Sequence, residues 1–530
     1  MWFRSLFPIL LLGCPSKDAT DTTPSESDTD TDADTDTDAD TDTDTDTDTD
    51  TDTACTPGGL AGRFGFVEKG TRRSDPFVGG GELTLDADGT FSATGNMSLD
   101  GDVGPFAPAS GTWTVDAVTC QGQLTDDAGD PAYDFTLVGD GSELRFIRTT
   151  SGDVVTGRAM ASADACDETN VQGDFVYAIN AIVYFEDIVG FPVGPSPFAG
   201  AGAVSVGAAG ALTLVDDASI AGIIFPRAYD GVLEVDPDCS GAGTIDLPPQ
   251  APTSINPVHV EVHWVQDRTE ATVIQTDVGT FIAGTALRRD ERASCTPAAY
   301  EGRFGFVAEG KDAGADYVAG GMFVIGAGGA VTVDGTQSTD GEVAAATPDT
   351  GVLGTFDADC RAEVTDGGQP WMAITAIDDD SFSFVRTVAG QVVTGIARRM
   401  AEGCSTASVE GSYGYAMNAV VYLDVAGFPV GASPFAGAGH VDVAADGALT
   451  LADTASIGGM VLPRSYSGTV DVASDCVGTA QVELPPGAPT STNPVNVEVY
   501  WVGDGREAYL IQQDAGTFIA GSAVKREVLP

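Results

Sequence analysis

After residue 55 the chain alternates apolar and polar positions in short runs, cut repeatedly by Gly, Asp and Asn. A period of two marks strands with one buried face, and the 3.6-residue period of an amphipathic helix is scarce. The first stretch predicts strands near 62–68, 77–85, 90–98, 110–116, 119–125, 132–138, 143–149 and 153–160. The next predicts eight more, near 171–178, 198–206, 211–217, 228–235, 240–247, 258–264, 271–276 and 280–287. LDADGTF at 85–91 carries the Asp-Gly of a tight hairpin, in which Gly supplies the positive φ.

The pattern then repeats. CTPGGLAGRFGFV from Cys55 returns as CTPAAYEGRFGFV from Cys295, GFPVGPSPFAGAG from Gly190 as GFPVGASPFAGAG from Gly427, and QTDVGTFIAGTALRR from Gln275 as QQDAGTFIAGSAVKR from Gln512. Apart from Cys14, the eight cysteines keep the same rhythm: 65 residues separate Cys55 from Cys120 and Cys295 from Cys360, while Cys166–Cys239 and Cys404–Cys476 span 73 and 72. The chain is therefore a duplication of an A unit and a B unit, with expected boundaries at 55–165 (A1), 166–294 (B1), 295–403 (A2) and 404–530 (B2). An even number of cysteines in an exported chain suggests disulfides, and one bridge within each unit is the simplest pairing.

Eight antiparallel strands joined in sequence predict an all-β fold, a tandem array of four small up-and-down, lipocalin-like barrels, with β-sandwiches as the alternative. Loop lengths favour the barrel. In B1 the links AINAIVYFEDIVGFPVGPSP, SIAGIIFPRA and PPQAPTSINP are long and follow odd strands, which places all three at one rim; both cysteines fall at the opposite end.

The N-terminus adds a location. Arg4 precedes the apolar run Leu6–Leu12, too short to span a bilayer. Leu11-Leu12-Gly13-Cys14 resembles the bacterial lipobox, which implies a signal peptide at 1–13 and a lipidated Cys14 as mature N-terminus. Residue 15 is Pro, so the common inner-membrane retention Asp is missing, and an outer-membrane or cell-surface location is expected. Residues 14–54, dominated by the Asp-Thr alternation at 28–53, lack apolar residues to offset chain entropy and read as a disordered spacer. No EF-hand spacing occurs there, so only weak, non-specific divalent-cation binding is expected.

Composition narrows the function classes. The net charge is −55; 16 acidic and two basic residues lie before Ala54, which leaves 63 acidic and 22 basic residues downstream. A field of this sign excludes a nucleic-acid partner and disfavours anionic lipid surfaces, leaving the N-terminal lipid as the membrane contact. There is no G-x-S-x-G elbow, P-loop, H-E-x-x-H or C-x-x-C, and the histidines are limited to His259, His263 and His440. No catalytic residue or cofactor is expected, and a barrel isomerase or hydrolase is the least favoured reading.

Two resemblances carry the placement further. The Gly111-Thr112-Trp113…Cys120 and Gly354-Thr355-Phe356…Cys360 strands, with the closing Gly-Thr-x-x-x-Gly strand, resemble a group of uncharacterised small secreted bacterial β-barrel proteins. The lipobox followed by an Asp-Thr spacer is similar to surface lipoproteins of myxobacteria-like bacteria. Neither resemblance implies an activity.

The candidate site is the mouth of each B unit: Asn180, Tyr184, Phe191, Arg227 and Tyr229, with Asn418, Tyr422, Phe428, Arg464 and Tyr466 in the duplicate. Apolar loops with a few polar groups suit a small apolar ligand or a surface partner. The alternative is that they pack on a neighbouring A unit or plug their own barrel, as exposed apolar surface commonly does, which would make the chain a purely structural or adhesive surface protein. VHVEVHW at 258–264 sets His259, Glu261 and His263 on one strand face, a conceivable zinc set; the duplicate reads Asn496, Glu498 and Tyr500, so a solvated face is the favoured reading.

Overall fold

The computed structural model describes residues 55–185, 191, 193–248, 255–290, 293–346, 350–423, 431–485 and 493–526. Each unit closes an eight-stranded antiparallel barrel in which neighbouring strands follow sequence order and the first strand pairs with the last. In A1 the wall runs Gly62–Arg72, Asp75–Leu85, Thr90–Leu99, Ser110–Val115, Gln121–Asp126, Pro131–Val138, Glu143–Arg148 and Asp153–Ala161, with the short Asp102–Pro105 beside it. The predicted turn is present: Gly89 sits at φ +84° and donates to the Asp86 carbonyl, 3.0 Å. Sandwiches are thereby excluded.

B1 departs from expectation in one respect. Its first two strands are Gly173–Phe185 and Gly194–Val206, and the next two, Ala211–Ile220 and Ile223–Val235, are joined by a two-residue turn. Most of what alternation assigned to the first two long rim links is strand. The cause is burial on both faces: Ala199 and Ala201 pack outward against Val385 and Val392 of A2, so the polar half of the alternation is lost. The inner face of the same strand carries Gly200 and Gly202, and a Cβ on Gly202 would meet the Asp216 Cβ at 2.3 Å. The repeated FAGAG thus presents alanines to a neighbour and glycines to a crowded lumen. Ala436 and Ala438 of B2 do the same against Ile147 and Val154 of A1.

Two kinds of seam, each occurring twice, join the barrels into a closed ring in the order A1, B1, A2, B2. In the first kind Asn96 of A1 donates to Glu261 of B1 (2.6 Å), and Thr336 of A2 donates to Glu498 of B2 (3.1 Å). In the second, Ser219 of B1 donates to the Gln391 carbonyl of A2 (2.5 Å), and Ser456 of B2 to the Asp153 carbonyl of A1 (2.6 Å). The repetition makes the ring nearly two-fold symmetric. Lys69 of A1 and Glu309 of A2 hold corresponding positions in the duplicated GRFGFV strands, and they form an ion pair with each other.

Disulfides Cys55–Cys120, Cys166–Cys239, Cys295–Cys360 and Cys404–Cys476 close one end of the four barrels, one per unit. The opposite ends of the B barrels are gripped by A-unit turns. Gly279 donates to the Gly101 carbonyl and Gly516 to Gly341, both 2.8 Å, while Gly390 donates to Gly222 (2.9 Å) and Gly152 to Gly459 (2.8 Å). Both B mouths therefore lie on one face of the ring, with the disulfides at the other.

Candidate functional site

One fold is filled in two ways. The A1 lumen is packed with rings, among them Phe66, Phe91, Phe106, Trp113, Phe135 and Phe146, and keeps only about 30 Å³. Arg148 lies wholly inside this packing: Glu68 accepts its Nη2 at 2.8 Å, and its guanidinium carbon is 4.8 Å from the Tyr133 ring centre and 5.1 Å from that of Phe77. A2 is likewise filled, with Phe306 and Phe323 centred 4.4 Å apart and Phe304 and Phe382 5.3 Å apart.

The B lumens are hollow. B1 encloses a cavity of about 230 Å³ and B2 one of about 250 Å³. At about 30 Å³ per liquid water, each has the volume of about eight waters, more than the ~150 Å³ that suffices for benzene. Alternation builds the wall: along Ile223–Val235, Phe225, Arg227, Tyr229 and Leu233 turn inward while Pro226, Ala228, Asp230 and Val232 face out. Val258, Val260, Val262 and Trp264 line another side, as the VHVEVHW pattern requires.

In this largely apolar wall, apart from Gln275, Thr280 and Thr285, stands a charged group of three. Arg227 gives Asp216 two bonds, Nε to Oδ1 at 2.7 Å and Nη2 to Oδ2, and the Tyr177 hydroxyl donates to the same carboxylate. Burial opposes the Arg227 charge, but Asp216 more than offsets this and raises its pKa; burial, with Asp216 adding to it, pushes the Tyr177 hydroxyl well up. The guanidinium is 5.1 Å from the Phe198 ring centre and 5.5 Å from that of Tyr229. B2 repeats the arrangement with Arg464 Nε on Asp453 at 2.8 Å, the Tyr415 hydroxyl on Asp453 at 2.5 Å, and Phe435 and Tyr466 beside the guanidinium. Arg227 and Arg464 are among the cavity-lining residues, with about a sixth of each side chain exposed (16% and 17%).

The expected site residues divide between two roles. Arg227, Tyr229, Arg464 and Tyr466 line the cavities, and Phe191 closes over the B1 mouth, its ring 4.6 Å from Phe185 and 5.8 Å from Phe225. Asn180 turns outward and donates to the Glu309 carbonyl of A2 (2.7 Å); Asn418 donates to Thr156 of A1 (2.5 Å). Tyr184 stands at the rim with its hydroxyl on Asp100 of A1, and burial followed by that bond raises its pKa to about 12. Tyr422 meets Asp340 of A2 in the same way. Asn180 and Asn418 thus follow the inter-unit packing alternative, whereas Tyr184 and Tyr422 do both, lining the cavity at its rim while bonding to the neighbouring A unit. Phe428 lies outside the described residues, as do Cys14 and the Asp-Thr run.

Tyr177, Asp216, Tyr415 and Asp453 were not among the expected residues. Their signal was present: LTLVDDASI and LTLADTASI place an Asp on the apolar, inward phase of a strand, where an unpaired carboxylate is untenable. His259, Glu261 and His263 do not form a free face. The His259 Nδ1 meets Asp277 (2.8 Å), Glu261 accepts from Asn96 of A1, and His263 is buried with its Nε2 3.3 Å from Glu261. A neighbouring barrel covers the Glu261–His263 end of this face, which corrects the solvated-face expectation there, while His259 remains exposed. Among the described residues no group of three or more His, Cys, Asp or Glu is placed to hold a metal ion.

No family model matches the chain, and no curated protein matches it. Among solved structures, it is similar to the isotype 1 transferrin binding protein B of serogroup B Neisseria meningitidis, with TM-score 0.20 and 9% identity over 74% of this chain and 84% of that one. The WD40 domain of SCAP from fission yeast gives TM-score 0.11 and 8% identity, covering 83% and 93%. Likenesses at these scores carry no argument about this chain.

Proposed function

We propose that B1 and B2 each bind one small, mainly apolar molecule, and that the A barrels serve as the solid frame that holds them. The contrast between filled and hollow lumens carries this reading. Eight-stranded barrels of one design are packed with aromatic rings in the A units, whereas both B copies keep a cavity of 230–250 Å³ and the same Tyr-Asp-Arg group. Binding is favoured over catalysis because, among the described residues, the carboxylate beside the Tyr177 or Tyr415 hydroxyl in each lumen is already neutralised by a two-bond guanidinium pair and is a poor base. Four disulfides suit an oxidising compartment. With the lipobox at Cys14 and the acidic spacer, they support display at the cell surface on a lipid anchor.

Native mass spectrometry of protein purified from its own host tests the binding reading. Two small-molecule adducts per chain are expected; a bare mass, together with failure to take up any naphthalene-sized apolar probe, would overturn it. Metabolic labelling with a fatty acid tests the anchor, which falls if the label is absent or persists after Cys14→Ser.

A further inference from the structure

We infer that the ligand of each B lumen is an uncharged molecule about the size of a two-ring hydrocarbon, carrying one carbonyl or hydroxyl oxygen that accepts a hydrogen bond from Arg227 or Arg464. This rests on the binding reading above and specifies its chemistry.

The size follows from the cavities and the polarity from their walls. Aliphatic and aromatic side chains make up nearly all of the lining, so most of the ligand surface must be apolar to repay its removal from water. An entirely apolar ligand, however, would strip water from the guanidinium edge at the lumen and give nothing back. A ligand oxygen placed there restores a hydrogen bond to a charged donor.

Charge is excluded by local balance. Arg227 already faces Asp216 through two bonds, and Tyr177 adds a neutral donor to the same carboxylate, so the group has no net charge. A carboxylate ligand would be desolvated with no net countercharge to receive it. Towards the mouth a second carboxylate stands behind the wall, where an anion would be repelled: Gln275, a lining residue, donates to Asp277 (3.0 Å), and Gln512 of B2 donates to Asp514 (3.1 Å). A cation, in turn, would meet the guanidinium. The two copies agree on this polar group while differing around it. Phe185 and Phe225 of B1 stand where B2 has Leu423 and Leu462. The demand for an oxygen is thus common to both sites, and the apolar contour is what differs.

Three probes of nearly equal shape separate the possibilities: 2-acetylnaphthalene, 2-naphthoate and 2-ethylnaphthalene, titrated by calorimetry into the intact chain. The expected result is two sites per chain, with the ketone about tenfold tighter than the hydrocarbon, the value of one hydrogen bond to a charged donor, and the carboxylate weakest. Asp216→Leu with Arg227→Met replaces the pair in B1 by apolar groups of similar volume, and B2 remains as an internal report that the chain is folded. In this variant one site should lose its preference for the ketone over the hydrocarbon while the other keeps it. Tightest binding of 2-naphthoate, equal binding of ketone and hydrocarbon, or an unchanged preference at both sites of the variant would each overturn the inference while leaving the binding reading standing. Failure of all three probes to bind overturns both. Should the variant not fold, the three-probe comparison on the unaltered chain decides alone.

Discussion

Asp216 shows how much one side chain can determine inside a barrel. It is fully buried, and two donors from Arg227 and one from Tyr177 converge on it. Asp216→Ala leaves a guanidinium enclosed without its countercharge, and a loss of about 3–5 kcal/mol is expected in denaturant unfolding; Asp216→Leu with Arg227→Met and Tyr177→Phe should come close to the parent protein, because both charges and the hydroxyl that depends on them are removed together. His440 makes a second, pH-dependent case. It sits in B2 where B1 has Ala203, with Asp442, Asp453 and Arg526 around it and no hydrogen bond to its Nδ1. Burial lowers its pKa, so the unfolded chain takes up the proton more readily than the folded one. Its contribution to stability is level above the unfolded value of about 6.5 and declines as the pH falls below it toward the folded value. Melting temperatures of the parent and of His440→Ala, compared between pH 7.5 and 5, should differ by a constant amount at the alkaline end. On acidification the parent is expected to fall more steeply.

At the scale of elements, strand period and cysteine spacing were enough to read the barrels. Every strand expected in A1 and B1 has an observed counterpart, because a barrel wall with an apolar lumen and a wet exterior enforces alternation. Reading failed where the exterior was not wet. Strand Gly194–Val206 docks on A2, so its outer positions became alanine and its first half resembled an apolar loop; Asn180 was then assigned to a mouth when it belongs to a seam, and Tyr184 serves both. No local pattern in a single chain distinguishes a face covered by ligand from one covered by another barrel. The disulfides were legible for the opposite reason, since their spacing repeats and each closes its own unit. Cys166 and Cys239, 73 residues apart, tie the chain entering B1 to the turn before strand Ser240–Asp246. Replacing both by serine should cost about 4 kcal/mol by the loop-closure relation. Calorimetry of the variant is expected to show an earlier transition in the B1 part, with the A2–B2 part melting as before.

For the whole molecule, the seams make a prediction that no single barrel could. The ring repeats its A–B seams, so a half-chain of residues 55–290 carries both of the surfaces that a second half must meet. Each half also contains two closed barrels with their own disulfides. Expressed separately, residues 55–290 and 293–526 should therefore pair. Which pairs form is decided near the two-fold axis, where Lys69 of the first half faces Glu309 of the second. Two first halves would bring Lys69 against Lys69, and two second halves Glu309 against Glu309. The mixed pair alone joins opposite charges. An exposed ion pair is worth up to about 1 kcal/mol, so the mixed pair should be favoured about five- to tenfold over either like pair at low salt, and less as salt screens the contact. Lys69→Glu in the first half should remove the preference, and adding Glu309→Lys in the second should restore it. Native mass spectrometry of the mixed halves, read at two salt concentrations, counts the three species directly. Halves that stay single at micromolar concentration would mean that the covalent link, and not the seams, closes the ring; mixed pairs indifferent to the charge swap would place the selectivity elsewhere along the seams.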